Sequence, residues 1–85
     1  MIKTRAQWPH SIEDITNSLD GIWGLVGAQG TNGNLVRLER SLHQPLTYTL
    51  SEFEGHDETK VVRKKTYTVN EKMAAITEFA QALGF

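Results

Sequence analysis

Three histidines, a cluster of carboxylates and a run of cations are the residues of this chain best suited to chemistry. Catalysis needs a nucleophile, a base or a metal held within hydrogen-bond reach of its partners. His10, His43 and His56 are far apart in sequence and each falls in a predicted loop or turn. His56-Asp57-Glu58 brings together three groups that can ligate a divalent ion. Three consecutive residues point in different directions, however, and no second ligand pair follows at metal spacing. The solvated-loop reading is the stronger one there. No Gly-x-Ser-x-Gly elbow or phosphate loop is present, and the glycines of GIWGLVGAQG lead into Asn32-Gly33 rather than opening a helix. They therefore lack the helix dipole that a dinucleotide fingerprint requires. The expectation is a non-enzymatic protein with no catalytic residues, no metal and no cofactor.

Charge offers a different chemistry. KVVRKK, residues 60 to 65, concentrates four cations in a chain of formal net charge −1. Lys60, Arg63, Lys64 and Lys65 could meet phosphate, guard the margin of a sheet, or contact a protein. Strand alternation sends Arg63 and Lys65 to the face opposite Lys64, and Glu52, Glu54, Asp57 and Glu58 precede the run. Screening of the patch by those carboxylates would be substantial within a Debye length of about 8 Å. Nucleic-acid binding through the basic strand is thus the secondary expectation. The acidic loop Glu52, Glu54, Asp57 and Glu58 is the first candidate contact for a basic partner, and its alternative is a solvated connection.

The elements that must carry these groups follow from periodicity. Residues 2 to 8 alternate, with Ile2, Thr4, Ala6 and Trp8 on one side, and predict a short strand. Ser11 can cap a helix running to Asp20, with Asp14 completing a box, Ile12, Ile15 and Leu19 as its stripe, and Gly21 as its stop. Asn32-Gly33 favours a two-residue type I′ hairpin. That turn places Gln29 opposite Val36 and Leu25 opposite Arg40, so that Trp23, Leu25, Val36, Leu38 and Leu42 share the core face and Val26 and Ala28 the other. HQP, residues 43 to 45, works as a three-residue connection that sets Leu38 opposite Leu50 and Arg40 opposite Tyr48, adding Leu46, Tyr48 and Leu50 to the core. Thr47, Thr49 and Ser51 then join Arg37, Glu39 and Ser41 on a wet outer face. Residues 60 to 69 form a further strand whose inward parity is ambiguous.

Asn70 can cap a last helix with Met73, Ile76, Phe79, Ala80 and Leu83 inward, and Glu71, Ala75, Glu78 and Ala82 on the side away. Gly84 closes it. The apolar sheet face is the only surface large enough to cover both helical stripes. The expected fold is therefore a two-layer α+β domain, an antiparallel meander with two helices on one face, in the order β-α-β-β-β-β-α. Eighty-five residues support one core and one domain, 1–85. At 39% hydrophobic and 22% charged the chain is globular in composition.

There is no cysteine, which excludes disulfides and thiolate metal sites and suits a reducing compartment. MIKTRAQWPHS lacks the apolar segment of a secretory signal, and no run reaches the roughly 20 apolar residues of a membrane span. A cytoplasmic protein without a membrane partner is expected. An edge strand or the last helix could also bring two copies together.

Two resemblances bear on function. The helix, three strands and helix are similar in layout to a double-stranded RNA-binding domain, although that family's basic start of the second helix is replaced here by NEKMAAITEF. The succession SIEDITNSLDGI, NLVRLERS, LTYTLSEF and KKTYTVNEKMAAITEFAQALG resembles the small immunity proteins of bacterial toxin systems over most of the chain. That resemblance is one of layout, without a diagnostic motif. It implies a non-enzymatic, cytoplasmic bacterial inhibitor that acts by protein binding.

Overall fold

The computed structural model describes residues 9–41 and 43–85. The strand expected over residues 2 to 8, and Leu42, lie outside the described residues. Within them the order is α1 (Ile12–Asp20), β1 (Leu25–Gln29), β2 (Leu35–Arg40), β3 (Thr47–Phe53), β4 (Val61–Thr68), a 3-10 turn (Val69–Glu71) and α2 (Lys72–Ala82). The strands form one antiparallel sheet in the order β1-β2-β3-β4. Ile15 and Leu19 of α1 and Ala75, Ile76, Phe79 and Ala80 of α2 share a core with Val26, Val36, Leu38, Tyr48, Leu50 and Tyr67 of the sheet. The expected two-layer α+β arrangement is the observed one. Each fully buried Ile, Leu or Phe in it contributes about 1.5–3 kcal/mol over exposure.

Local chemistry explains where α1 begins and ends. Ser11 is extended and its Oγ accepts the Asp14 N–H at 3.1 Å, while the Asp14 carboxylate accepts the His10 N–H at 2.8 Å. The reciprocal bond thus closes one residue upstream of the cap. At the other end Gly21 is extended (φ −75°, ψ −175°), and the left-handed position falls on Gly24 (φ 60°). α1 has no basic residue in its last turn. Arg40, on the core face of β2, supplies that charge by donating to the carbonyls of Leu19 and Gly21, both at 3.1 Å. A cation at a helix C-terminus satisfies orphan carbonyls and opposes the dipole.

The first hairpin differs from expectation by one residue. Leu25 pairs with Glu39, Gly27 with Arg37 and Gln29 with Leu35. Gly30 N–H bonds Asn34 C=O at 2.8 Å, Gly33 N–H bonds Gly30 C=O at 3.0 Å, and Gly33 has φ 90°. Thr31, Asn32 and Gly33 therefore make a three-residue connection with the glycine in the bulge position, instead of a two-residue type I′ turn. A one-residue shift exchanges the faces of β1. Val26 and Ala28 are buried, whereas Leu25 is partly exposed and Trp23, beyond the strand, is 83% exposed. The second hairpin has the expected register, Leu38 opposite Leu50 and Arg40 opposite Tyr48.

The outer face is not uniformly wet. Ser51 and Phe53 are buried there, and the Arg37 guanidinium lies 4.9 Å from the Phe53 ring centroid. α2 also departs from the expected stripe, since Ala75 is fully buried and Met73 is 56% exposed. Ala75 and Ala80 are buried in the core beside Ile76 and Phe79, a placement that hydrophobicity alone does not reveal. Thr68, and not Asn70, starts this segment: its N–H reaches the Glu71 carboxylate at 2.9 Å and its hydroxyl the same oxygen at 3.2 Å. Gly84 (φ 91°) ends it, with Gly84 N–H on Gln81 C=O and Phe85 N–H on Ala80 C=O, the Schellman pattern.

Candidate functional site

The charged residues singled out above gather at one end and one margin of the sheet, on β3, the loop after it, and β4. Ser41 N–H donates to Thr47 C=O at 2.8 Å, so the backbone groups of Thr47, Thr49 and Ser51 turn toward β2. Those of Tyr48, Leu50 and Glu52 then turn toward β4 and meet Tyr67, Lys65 and Arg63. The same alternation aims the N–H and C=O of Lys64 and Thr66 away from the sheet. Among the described residues no strand pairs with that side.

Arg63, Lys65 and Tyr67 lie on the helix side of β4, and Lys64 and Thr66 on the outer side. Only Tyr67 is buried. Its hydroxyl has no hydrogen-bond partner among the described residues. This resolves the ambiguous parity: Tyr67 faces the core, and Arg63 and Lys65 share its side of β4, where they meet Glu78 of α2. Carboxylates take the place of apolar contacts there. Arg63 Nε donates to Glu52 at 2.8 Å and its Nη1 to Glu78 of α2 at 2.8 Å. Lys65 Nζ stands 4.0 Å from Glu78 and 4.9 Å from the Tyr67 ring centroid.

Glu52 is not a loop residue. It belongs to β3, is 7% exposed, and accepts from Asn32 Nδ2 at 3.0 Å and Asn34 Nδ2 at 2.8 Å in addition to Arg63. Hydrogen bonds from Asn34, Asn32 and Arg63, in that order, hold its carboxyl at about 2 against the opposing effect of burial. It is consequently committed to joining the first turn, β3 and β4, and is not free to meet a basic partner.

The loop proper is built on Gly55 (φ 57°), whose C=O takes the Leu35 N–H at 2.8 Å and whose N–H reaches Asn34 Oδ1 at 3.1 Å. Asp57 Oδ1 accepts the Thr59 hydroxyl at 2.6 Å and N–H at 2.9 Å, which lowers its pKa. Glu58 accepts from Arg37 at 2.7 Å across the outer face. Arg37 Nε is also 3.4 Å from Glu39, an ion pair without an aligned hydrogen bond. Glu54 is exposed, and its backbone N–H bonds Lys60 C=O at 2.9 Å. Asp57 and Glu58 thus face different partners, and His56 is exposed between Gly55 and Asp57. Among the described residues no three His, Asp or Glu side chains converge as a metal site, and no helix is long and apolar enough to cross a membrane.

Of the eight charged candidates, then, Glu54, Asp57, Glu58 and Lys60 share the loop, Lys64 lies on the outer face, Arg63 and Lys65 lie on the helix side, and Glu52 is internal. Half-exposed Val61 and Val62 lie among them. Sequence reasoning missed Asn32 and Asn34 as ligands of a carboxylate, and Glu78 as the counter-charge of β4. Asn-Gly-Asn carries a strong turn signal, which hides its second use. No protein-family model matches the chain, and neither curated protein sequences nor solved structures give a match.

Proposed function

We propose that this protein is a non-enzymatic binding module for another protein, an accessory inhibitor of the immunity-protein kind working in the cytoplasm of a bacterium. Its contact surface is the β3–β4 hairpin end with the adjoining outer sheet face. One observation carries this reading: half-exposed Val61 and Val62 sit between exposed carboxylates (Glu54, Asp57, Glu58) and exposed cations (Lys60, Lys64), next to a strand margin fixed to the core. Apolar contact supplies affinity at such a surface, and charges of both signs supply orientation and on-rate.

The alternative, nucleic acid on the basic strand, is weakened by the geometry of the cations. They divide between two faces, and two carboxylates already engage Arg63. Phosphate binding requires a continuous positive surface.

The test is a photo-crosslinking residue placed in turn at Glu54, Val62 and Gln81 in the native cell, followed by titration with DNA and RNA. One defined protein crosslinked from Glu54 and Val62 but not from Gln81, an exposed position on α2, is the expected result. Crosslinks from all three sites alike would remove the surface assignment. Salt-sensitive nucleic-acid binding that disappears on charge reversal of Arg63, Lys64 and Lys65 would replace it with the alternative.

A further inference from the structure

The binding reading leaves open how a partner engages the hairpin, and the margin of β4 supplies a mode. We propose that the outward side of β4 receives an extended, carboxylate-bearing segment of the partner protein, added as a further strand beside Val62–Thr68; this rests on the reading of the protein as a binding module. β4 is the longest strand of the sheet, and the backbone groups of Lys64 and Thr66 face outward with no strand beside them among the described residues. Strand addition uses such unpaired groups for affinity and the alternating side chains for selection.

Charge decides the occupant. Arg63 is paired with Glu52 and Glu78, Lys65 only approaches Glu78 at 4.0 Å, and Lys64, on the outer face, has no ion pair among the described residues, so Lys64 and Lys65 are the cations open to a carboxylate laid across them. Glu71, the next carboxylate along, is held by the Thr68 N–H and hydroxyl beyond the Lys64–Lys65 pair and keeps its charge. A second copy of the chain would bring the same cations opposite one another. Like charges directly across a strand pair are destabilising and opposite charges are favourable. An acidic segment is admitted where a basic or identical one is excluded, which is selection by repulsion as well as attraction.

The experiment uses the full, isotope-labelled chain with two short probes, acetyl-Thr-Glu-Val-Glu-Val-Glu-Thr-amide and the same peptide with Lys for each Glu. The acidic probe is expected to slow amide exchange at Lys64 and Thr66 by about tenfold or more and to weaken between about 50 and about 300 mM salt, while the basic probe has no effect. Lys64→Glu should abolish the protection. Thr66→Pro should do so as well, because it removes an outward N–H and leaves the β3 ladder intact; an unchanged unfolding transition identifies a folded variant. Equal protection by both peptides, protection by neither, or protection that rises with protein concentration alone would overturn the proposal. A crosslinked partner whose affinity survives both substitutions would also overturn it, yet would leave the binding-module reading standing.

Discussion

β1 and β4 are the outermost strands of the described sheet, and they are protected in opposite ways. β1 has five residues, Leu-Val-Gly-Ala-Gln, without a charge and with Gly27 at its centre. β4 has eight residues and three consecutive cations. An unpaired strand margin is a template for unwanted pairing, and both brevity and charge are known remedies. β1 depends on being short and poorly β-forming. β4 is long enough to template a partner and therefore depends on charge. The cost also differs. Val26 and Ala28 place β1 firmly under α1, whereas Arg63 and Lys65 occupy positions of β4 that could otherwise have been apolar core, so that strand needs Glu52 and Glu78 to hold it.

The largest test of that contrast is Glu52→Gln. The amide turns one acceptor oxygen into a donor, which then faces either the Asn32 and Asn34 amides or the Arg63 guanidinium, donors in both cases. The expected loss is about 2–3 kcal/mol, the cost of leaving donors to a buried carboxylate unpaired beside a half-exposed arginine, with the opening of β4 in hydrogen exchange accounting for most of it. The same variant isolates a pH effect. Glu52 has its pKa lowered from 4.5 to about 2. A lowered folded-state pKa contributes stability that is complete above the ordinary value and lost as pH falls through the folded one. Wild-type protein should therefore lose about 2–3 kcal/mol through this group between about pH 5 and pH 2, after discounting for the partly exposed Arg63. Asp57 and Glu71 shift in the same direction through Thr59 and Thr68, contacts that the substitution does not touch, so the difference between the two proteins reports Glu52. Denaturant unfolding at the two pH values measures it. Parallel acid losses in the two proteins would mean that β4 is held by something else.

Much of this arrangement was legible in the sequence, and its failures share a cause. The second hairpin could be registered because Leu38, Tyr48 and Leu50 leave only one parity that buries them all. In β1 both parities carry apolar residues, Trp23 with Leu25 or Ile22 with Val26 and Ala28, and reading Asn32-Gly33 as a two-residue turn selected the wrong one. The decision came from the turn and from space. A Cβ at Gly30 would come within 2.9 Å of the Ala82 carbonyl, and Thr31 N–H bonds that same carbonyl at 3.0 Å. The first turn is thus seated on the end of α2, a long-range contact that no local pattern contains. Ala75 was misplaced for the same reason, because its burial is set by tertiary packing and a small side chain gives little apolar signal of its own. At the candidate surface the loop and the basic strand were visible as charge, but the pairing of Glu52 and Arg63 with groups from distant turns and helices was not.

The second test removes the charge from β4. Lys64→Thr with Lys65→Thr leaves Glu52–Arg63 in place and keeps β-favouring residues, so stability should change by less than about 1 kcal/mol. Self-association should strengthen by about 1–2 kcal/mol, roughly tenfold, because each like-charged cross-strand pair removed returns about 0.2–1 kcal/mol. Sedimentation at rising concentration reads this directly. A variant that stays monomeric at every concentration would show that charge is not what keeps this margin single, and the contrast with β1 would lose half its basis.

The smallest effect belongs to β1. Gly27 is not at positive φ, and a Cβ there would sit 3.6 Å from the Val36 carbonyl oxygen, an ordinary contact. Gly27→Val should therefore stabilise the fold by about 0.5–1 kcal/mol, since glycine loses more backbone freedom on folding and a β-branched residue suits a pleated surface. The gain should come with increased self-association in the same sedimentation experiment, because the substitution turns a weak five-residue margin into a continuous apolar one. Gly30→Ala is the matched control: it too removes a glycine, but it drives a Cβ into the Ala82 carbonyl and should destabilise. If Gly27→Val raised stability without raising association, brevity alone would account for the quiet behaviour of β1 and the glycine would be incidental to it. Association appearing along with stability would instead assign Gly27 the protective role on this margin that Lys64 and Lys65 hold on the other.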